Sequence, residues 1–215
     1  MTTKHPYPHQ LKYRITQTDY AALRARLSEA ALEEGGARSV HTLLFDSYRS
    51  RTPALTDGGP DPRFSIHYFD DDPTYLLLER HVDQQSDGAM VTEAECRALL
   101  AGETDWLLDQ RNPVLLDFHS SLTERMLLPR VLLSYQRELY SLGDLDLWVA
   151  LDTDIRTTLQ HMDFLDPDLL ARDTAGLTGQ MLMEISYSSV IPDGILCLLE
   201  EVAPRGPGTC GSGRR

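Results

Sequence analysis

"MLMEISYSS" (residues 181–189) reads as one strand with a single carboxylate planted in it. Side chains alternate across a strand, so Met181, Met183, Ile185 and Tyr187 share one face. Leu182, Glu184 and Ser186 share the other. The first face is built for a core. The second carries a charge and a hydroxyl, and what surrounds them decides what kind of sheet this is.

The same two-faced pattern recurs along the chain. "HQLKYRI" (9–15) sends Leu11, Tyr13 and Ile15 one way and Gln10, Lys12 and Arg14 the other. "RFSIHYF" (63–69) sets Phe64, Ile66 and Tyr68 toward a core, opposed by Arg63, Ser65 and His67. After the hairpin-like "DDDP", "TYLLLERHV" (74–82) groups Tyr75, Leu77, Glu79 and His81 on one face. Further strands are read at 39–46, 89–91, 130–139 and 145–152. Helices are read at 16–36, closed by Gly35-Gly36, at 92–100, at 113–126 with Pro113 in the first turn, and at 192–202. The Gly/Pro-rich residues 203–215 have no periodicity and are expected to form a disordered tail behind one domain over 7–202. This alternation fits a sandwich with one wet face. It equally fits a closed barrel with a polar lumen.

Composition narrows the function classes. Of 215 residues, 41% are hydrophobic and 25% charged, as expected of a chain that buries a real core. A net charge of −13 argues against nucleic-acid partners, which need a basic footprint. No run of apolar residues is long enough to span a membrane, and the N-terminus lacks a secretory pattern, so a cytoplasmic protein without membrane insertion is expected. Cys96, Cys197 and Cys210 are too scattered for a disulfide framework or a zinc motif. No P-loop, dinucleotide fingerprint or zinc-protease helix occurs.

The same-face charges Lys12 and Arg14, Arg63 and His67, and Glu79 and His81 admit two readings. Turned outward, they are the solvated side of an ordinary antiparallel sheet. Turned inward, the cations would bind phosphate through charge-assisted hydrogen bonds. Inward carboxylates would suit Mg²⁺ or Mn²⁺, which take oxygen ligands.

The ordered set "HQLKYRI", "LLFDSY", "RFSIHYFDDDPTYLLLER", "LLSYQRELY", "WVALDTDIRT" and "MLMEISYSSVIPD" resembles the vacuolar transporter chaperone (VTC) domain, the polyphosphate polymerase domain, and its bacterial relatives. That family belongs to the triphosphate tunnel metalloenzymes. The resemblance implies an α+β fold, an antiparallel β-barrel tunnel with flanking helices. It also implies transfer of the ATP γ-phosphoryl group to a polyphosphate chain, a reaction that rests on positioning and charge neutralisation. Carried over position by position, Lys12, Arg63 and Arg137 are the expected catalytic cations. Arg14, His67, His81, Tyr135 and Arg156 are further expected contacts to ATP, polyphosphate or another triphosphate. Glu184 and Glu79 are the expected holders of Mn²⁺ or Mg²⁺. Asp152 is retained beside them.

The departures from the family pattern share one direction. Ser65 and His67 stand where arginines are expected, Leu77 and His81 where basic residues are, Trp148 at an arginine and Ser186 at a lysine. Gln10 replaces a glutamate. These losses imply impaired polymerase activity. Two other functions fit the same lumen: a non-catalytic phosphate- or polyphosphate-binding module derived from this fold, and a triphosphatase acting on a small substrate.

Overall fold

Strands with one apolar and one polar face need a cover for the first and an enclosure for the second. The computed structural model supplies both, and describes residues 9–30, 32–33, 36–47, 62–82, 85–142, 146–158, 164–166, 175–176, 180–188 and 191. In chain order these form β1 (His9–Ile15), α1 (Gln17–Ala30), β2 (Leu32–Glu33), β3 (Arg38–Ser47), β4 (Arg63–Phe69), β5 (Asp72–Val82) and β6 (Gln85–Val91). There follow α2 (Glu93–Leu100), a 3₁₀ turn (Asp105–Asp109), α3 (Pro113–Glu124), β7 (Leu127–Leu142), β8 (Leu147–Thr158), β9 (Ala175–Gly176) and β10 (Met181–Tyr187). The helix expected at 192–202 and the tail at 203–215 lie outside the described residues.

All pairings are antiparallel, in the order β7-β3-β4-β5-β6-β1-β10-β8, and β8 pairs back onto β7. Eight strands thus close into a barrel, with the two-residue strands β2 and β9 added at β7 and β8. Among the described residues the seam between β6 and β1 has one backbone pairing, His9 with Gln85, beside a side-chain bond from Gln10 to Ser86. Closure removes the exposed edges that an open sheet would present.

The apolar faces point outward, to the helices. Phe64, Ile66, Tyr68, Leu76 and Leu78 pack with Cys96 and Leu99 of α2 and with Val114, Leu115 and Phe118 of α3. On the other flank Ile15, Val149, Leu151, Met183 and Ile185 pack with Leu23 and Leu27 of α1. Both core faces read from the alternation are therefore present, and the polar faces turn into the barrel. Local sequence starts the helices. Thr92 and Glu95 form a reciprocal capping box on α2, and Asn112 caps α3 ahead of Pro113. At α1, Thr16 and Asp19 exchange hydrogen bonds in the same way.

Two backbone details bear on the site. The β4–β5 turn uses Asp70 and Asp71 at φ of 55° and 57°, the mirror-image turn that suits twisted hairpins, so the acidic run is a turn as read. In β8, Asp154 sits at φ 49°, where the register against β7 shifts between Ser134 and Gln136. Ser134 faces Arg156 and Gln136 faces Thr153, so β8 carries one extra residue there, a β-bulge. Among the described residues no helix is long and apolar enough to cross a membrane.

Candidate functional site: the barrel lumen

The inward faces enclose a cavity of about 580 Å³. Register explains its composition. Lys12 pairs with Glu184 across β1 and β10, Leu182 with Asp152 across β10 and β8, and Asp152 with Arg137 across β8 and β7. On the far wall, Thr42, His67 and Leu77 lie in one row across β3, β4 and β5, and Ser65 pairs with Glu79. Nine of the ten expected site residues line this one space: Lys12, Arg14, Arg63, His67, Glu79, His81, Tyr135, Arg137 and Glu184.

Arg156 does not. The bulge at Asp154 reverses the alternation of β8, so Ile155 takes the inward position that follows Asp152. Arg156 is exposed and pairs with Asp154 at 3.0 Å. A strict two-residue period places Arg156 inward; the extra residue turns it out. Conversely, Asp152 belongs to the site, although the sequence reading gave it no role. The signal was present: Asp152 shares the inward face of β8 with Trp148 and Ala150.

The charges form one connected network. The Arg137 guanidinium donates to both Asp152 oxygens, Nε at 2.7 Å and a terminal nitrogen at 2.8 Å, and that terminal nitrogen also donates to Glu184 at 2.9 Å. Lys12 Nζ lies 3.6 Å from the same Glu184 oxygen. Arg137 also stands over the Tyr135 ring, 5.3 Å from its centroid. Burial on its own would push the Glu184 carboxyl up, but Lys12 and Arg137 outweigh it and hold the group at about 2. Glu184 in turn raises the Lys12 ammonium above the usual lysine range. For Arg137, burial acts against the charge, and Asp152, Tyr135 and Glu184 together overcome it. The second carboxylate cluster is different in kind. Glu79 Oε2 lies 3.3 Å from His81 Nε2 and 3.7 Å from His67 Nδ1. Burial lowers the His67 imidazole more than Glu79 raises it.

A divalent ion held by Glu184 and Glu79 needs several convergent oxygens. Glu184 is instead engaged by two cations, and Glu79 lies between two imidazoles. Among the described residues no group of three or more His, Cys, Asp or Glu side chains is arranged to hold a metal ion. A divalent ion at Glu184 or Glu79 would have to displace these cations and imidazoles.

No family model matches the chain, and no curated protein matches its sequence. Its fold does have solved counterparts. A candidate adenylate cyclase from Bacillus halodurans superposes with a TM-score of 0.51 at 11% identity, covering 91% of this chain and 87% of that one. A candidate adenylyl cyclase from Hippeastrum, described as having a dominant triphosphatase activity, superposes with a TM-score of 0.50 at 14% identity, covering 90% and 85%. At such identities the likeness is one of fold. The closed antiparallel barrel with helices outside, the fold expected from the sequence, is the one shared with these structures.

Proposed function

We propose that this barrel is a phosphate-binding tunnel that holds a triphosphate-class ligand, such as ATP or the end of a polyphosphate chain, and is impaired in phosphoryl transfer. The observation that carries the reading is the lumen itself. Lys12, Arg14, Arg63 and Arg137 converge on one enclosed space, as an anion site requires, while Lys12 and Arg137 already engage Glu184. Charge-assisted contacts from such cations contribute about 1.5–3 kcal/mol each. Polymerase activity of the VTC type is the stronger form of this proposal, supported by the order of the sequence motifs. It needs a metal-assembled triphosphate, whereas among the described residues Glu184 is engaged by Lys12 and Arg137 and Glu79 by two imidazoles. Binding without efficient turnover follows.

A triphosphatase reading is favoured by one observation: Glu79, Asp152 and Glu184 all face the lumen, and a protein of this fold from Hippeastrum is described as a triphosphatase. One experiment separates the three. The full chain is titrated with tripolyphosphate by calorimetry, with and without chelator, and incubated with ATP and Mn²⁺. The expected result is chelator-insensitive binding with neither polyphosphate on a gel nor rapid phosphate release. Mn²⁺-dependent polyphosphate would establish the polymerase, phosphate release the triphosphatase, and absence of binding would refute the ligand tunnel.

A further inference from the structure

The charged residues are only part of the lumen wall. Leu44, Phe69, Leu77, Leu139, Trp148 and Leu182 also face it. Each is half-buried, and none belongs to either of the two apolar clusters that lie between the barrel and its helices. The outward positions one residue away are closed off: Leu43, Leu76, Leu78, Val149 and Met183 have no exposure. The inward apolar side chains are therefore not spare core. Their remaining surface is turned to the cavity. Two of them, Leu77 and Trp148, occupy positions where the family resemblance implies cations.

Register sets this apolar surface beside the phosphate-binding cations. Leu139 and Ala150 continue the row that begins with Lys12 and Glu184. Trp148 lies on the neighbouring row, across from Ser186. An anionic group held at Lys12 thus has an apolar wall on one flank, with the row that carries Arg14 and Arg137 on the other. A bare phosphate chain would leave that wall unfilled and would have to lay charge along it, which costs free energy unless every charge is paired. A cavity of about 580 Å³ is also of the size and mixed character of an organic-ligand pocket, apolar for the most part with a few placed polar groups.

We infer that the ligand of this lumen is a phosphate ester of an apolar alcohol, its phosphate held by Lys12 and neighbouring cations and its hydrocarbon or aryl body lying on Leu139, Ala150 and Trp148. The inference rests on the phosphate-binding reading above and names the part of the ligand that reading leaves open.

The test is a calorimetric series on the full chain with methyl, butyl and hexyl phosphate, alongside tripolyphosphate. Each methylene buried contributes about fourfold in affinity, so methyl to hexyl should gain up to roughly a thousandfold. The binding heat capacity should become more negative along the series, as apolar burial requires. Trp148→Ser, checked for folding by its thermal melt, should cut the hexyl-to-methyl ratio by about tenfold or more. An affinity that stays flat from methyl to hexyl while phosphate esters bind overturns the inference and leaves the phosphate site standing. An undiminished ratio in folded Trp148→Ser overturns the placement of the body. Failure of tripolyphosphate and every ester to bind overturns the phosphate reading itself, and this inference with it.

Discussion

Replacing Arg137 with methionine should be the most damaging single change in the lumen. The guanidinium makes three hydrogen bonds, at 2.7 and 2.8 Å to Asp152 and 2.9 Å to Glu184. The carboxylates are nearly closed off from water, with side-chain exposures of 6% and 10%. Three charge-assisted bonds are worth roughly 4.5–9 kcal/mol gross. Lys12 remains on Glu184, and Asp152 can escape by taking a proton, so the net loss should fall in the range of about 3–5 kcal/mol for a broken buried pair. With a urea slope of about 2 kcal/mol per M, the unfolding midpoint should drop by roughly 1.5–2.5 M. The pH dependence of the loss adds a second signature. Burial already raises the Asp152 carboxyl despite Arg137; without Arg137 it rises further, so the variant's deficit shrinks as pH falls and Asp152 takes its proton. The double variant Arg137→Met with Asp152→Leu should recover much of the loss, because no carboxylate is then stranded. A midpoint shift below about 0.5 M would mean that solvent screens the network as it screens surface pairs, and the enclosed lumen would be refuted.

Four further outcomes are expected. Arg156→Ala should change stability by less than about 0.5 kcal/mol and leave tripolyphosphate affinity as it is, because that side chain is exposed outside the lumen; a tenfold loss of affinity would place it back in the site. Glu184 is held at about 2 against an ordinary 4.5, so its contribution of roughly 3 kcal/mol is present above pH ~4.5 and disappears as pH falls toward ~2. Acid unfolding curves of Glu184→Gln should lack that segment, and identical curves would contradict the network. Burial lowers the His67 imidazole, so an incoming polyanion should draw a proton onto it. Calorimetry in two buffers of different ionisation heat should then register proton uptake near pH ~6.5 that is lost in His67→Gln. Ser186→Lys should strengthen tripolyphosphate binding by about tenfold, one charge-assisted contact, and no change would count against this face of β10 lining the site.

Most of this barrel could be read from alternation, because alternation is a local property. Phe64, Ile66 and Tyr68 went to one face and Arg63, Ser65 and His67 to the other, whatever the sheet did next. Closure was not legible, since a sandwich demands the same pattern, and the seam at His9 and Gln85 leaves no periodic trace. The position of Arg156 was misread for a related reason. One inserted residue reverses every later side chain, and aspartate at positive φ gives little warning because it adopts that conformation with small cost. Nor could spacing reveal that Lys12 and Arg137 both converge on Glu184. That depends on how β1, β10, β8 and β7 slide past one another, which the turns and the closure fix together.

The lumen's charge balance connects these points to function. Lys12, Arg14, Arg63 and Arg137 face it, and so do Asp46, Glu79, Asp152 and Glu184, four cations against four carboxylates. A highly charged phosphate chain gains most where cations are in excess, because it then need not break existing pairs. Here a ligand phosphate that reaches Arg137 competes with two carboxylates already bound to it. Each further phosphate that reaches Arg137 or Lys12 has to displace a carboxylate, which reduces the gain it brings. A ligand of low charge with apolar surface avoids that competition and uses the leucines and tryptophan that replace cations elsewhere in the wall. The same substitutions that weaken the case for polymerisation therefore point toward a smaller, more hydrophobic phosphate.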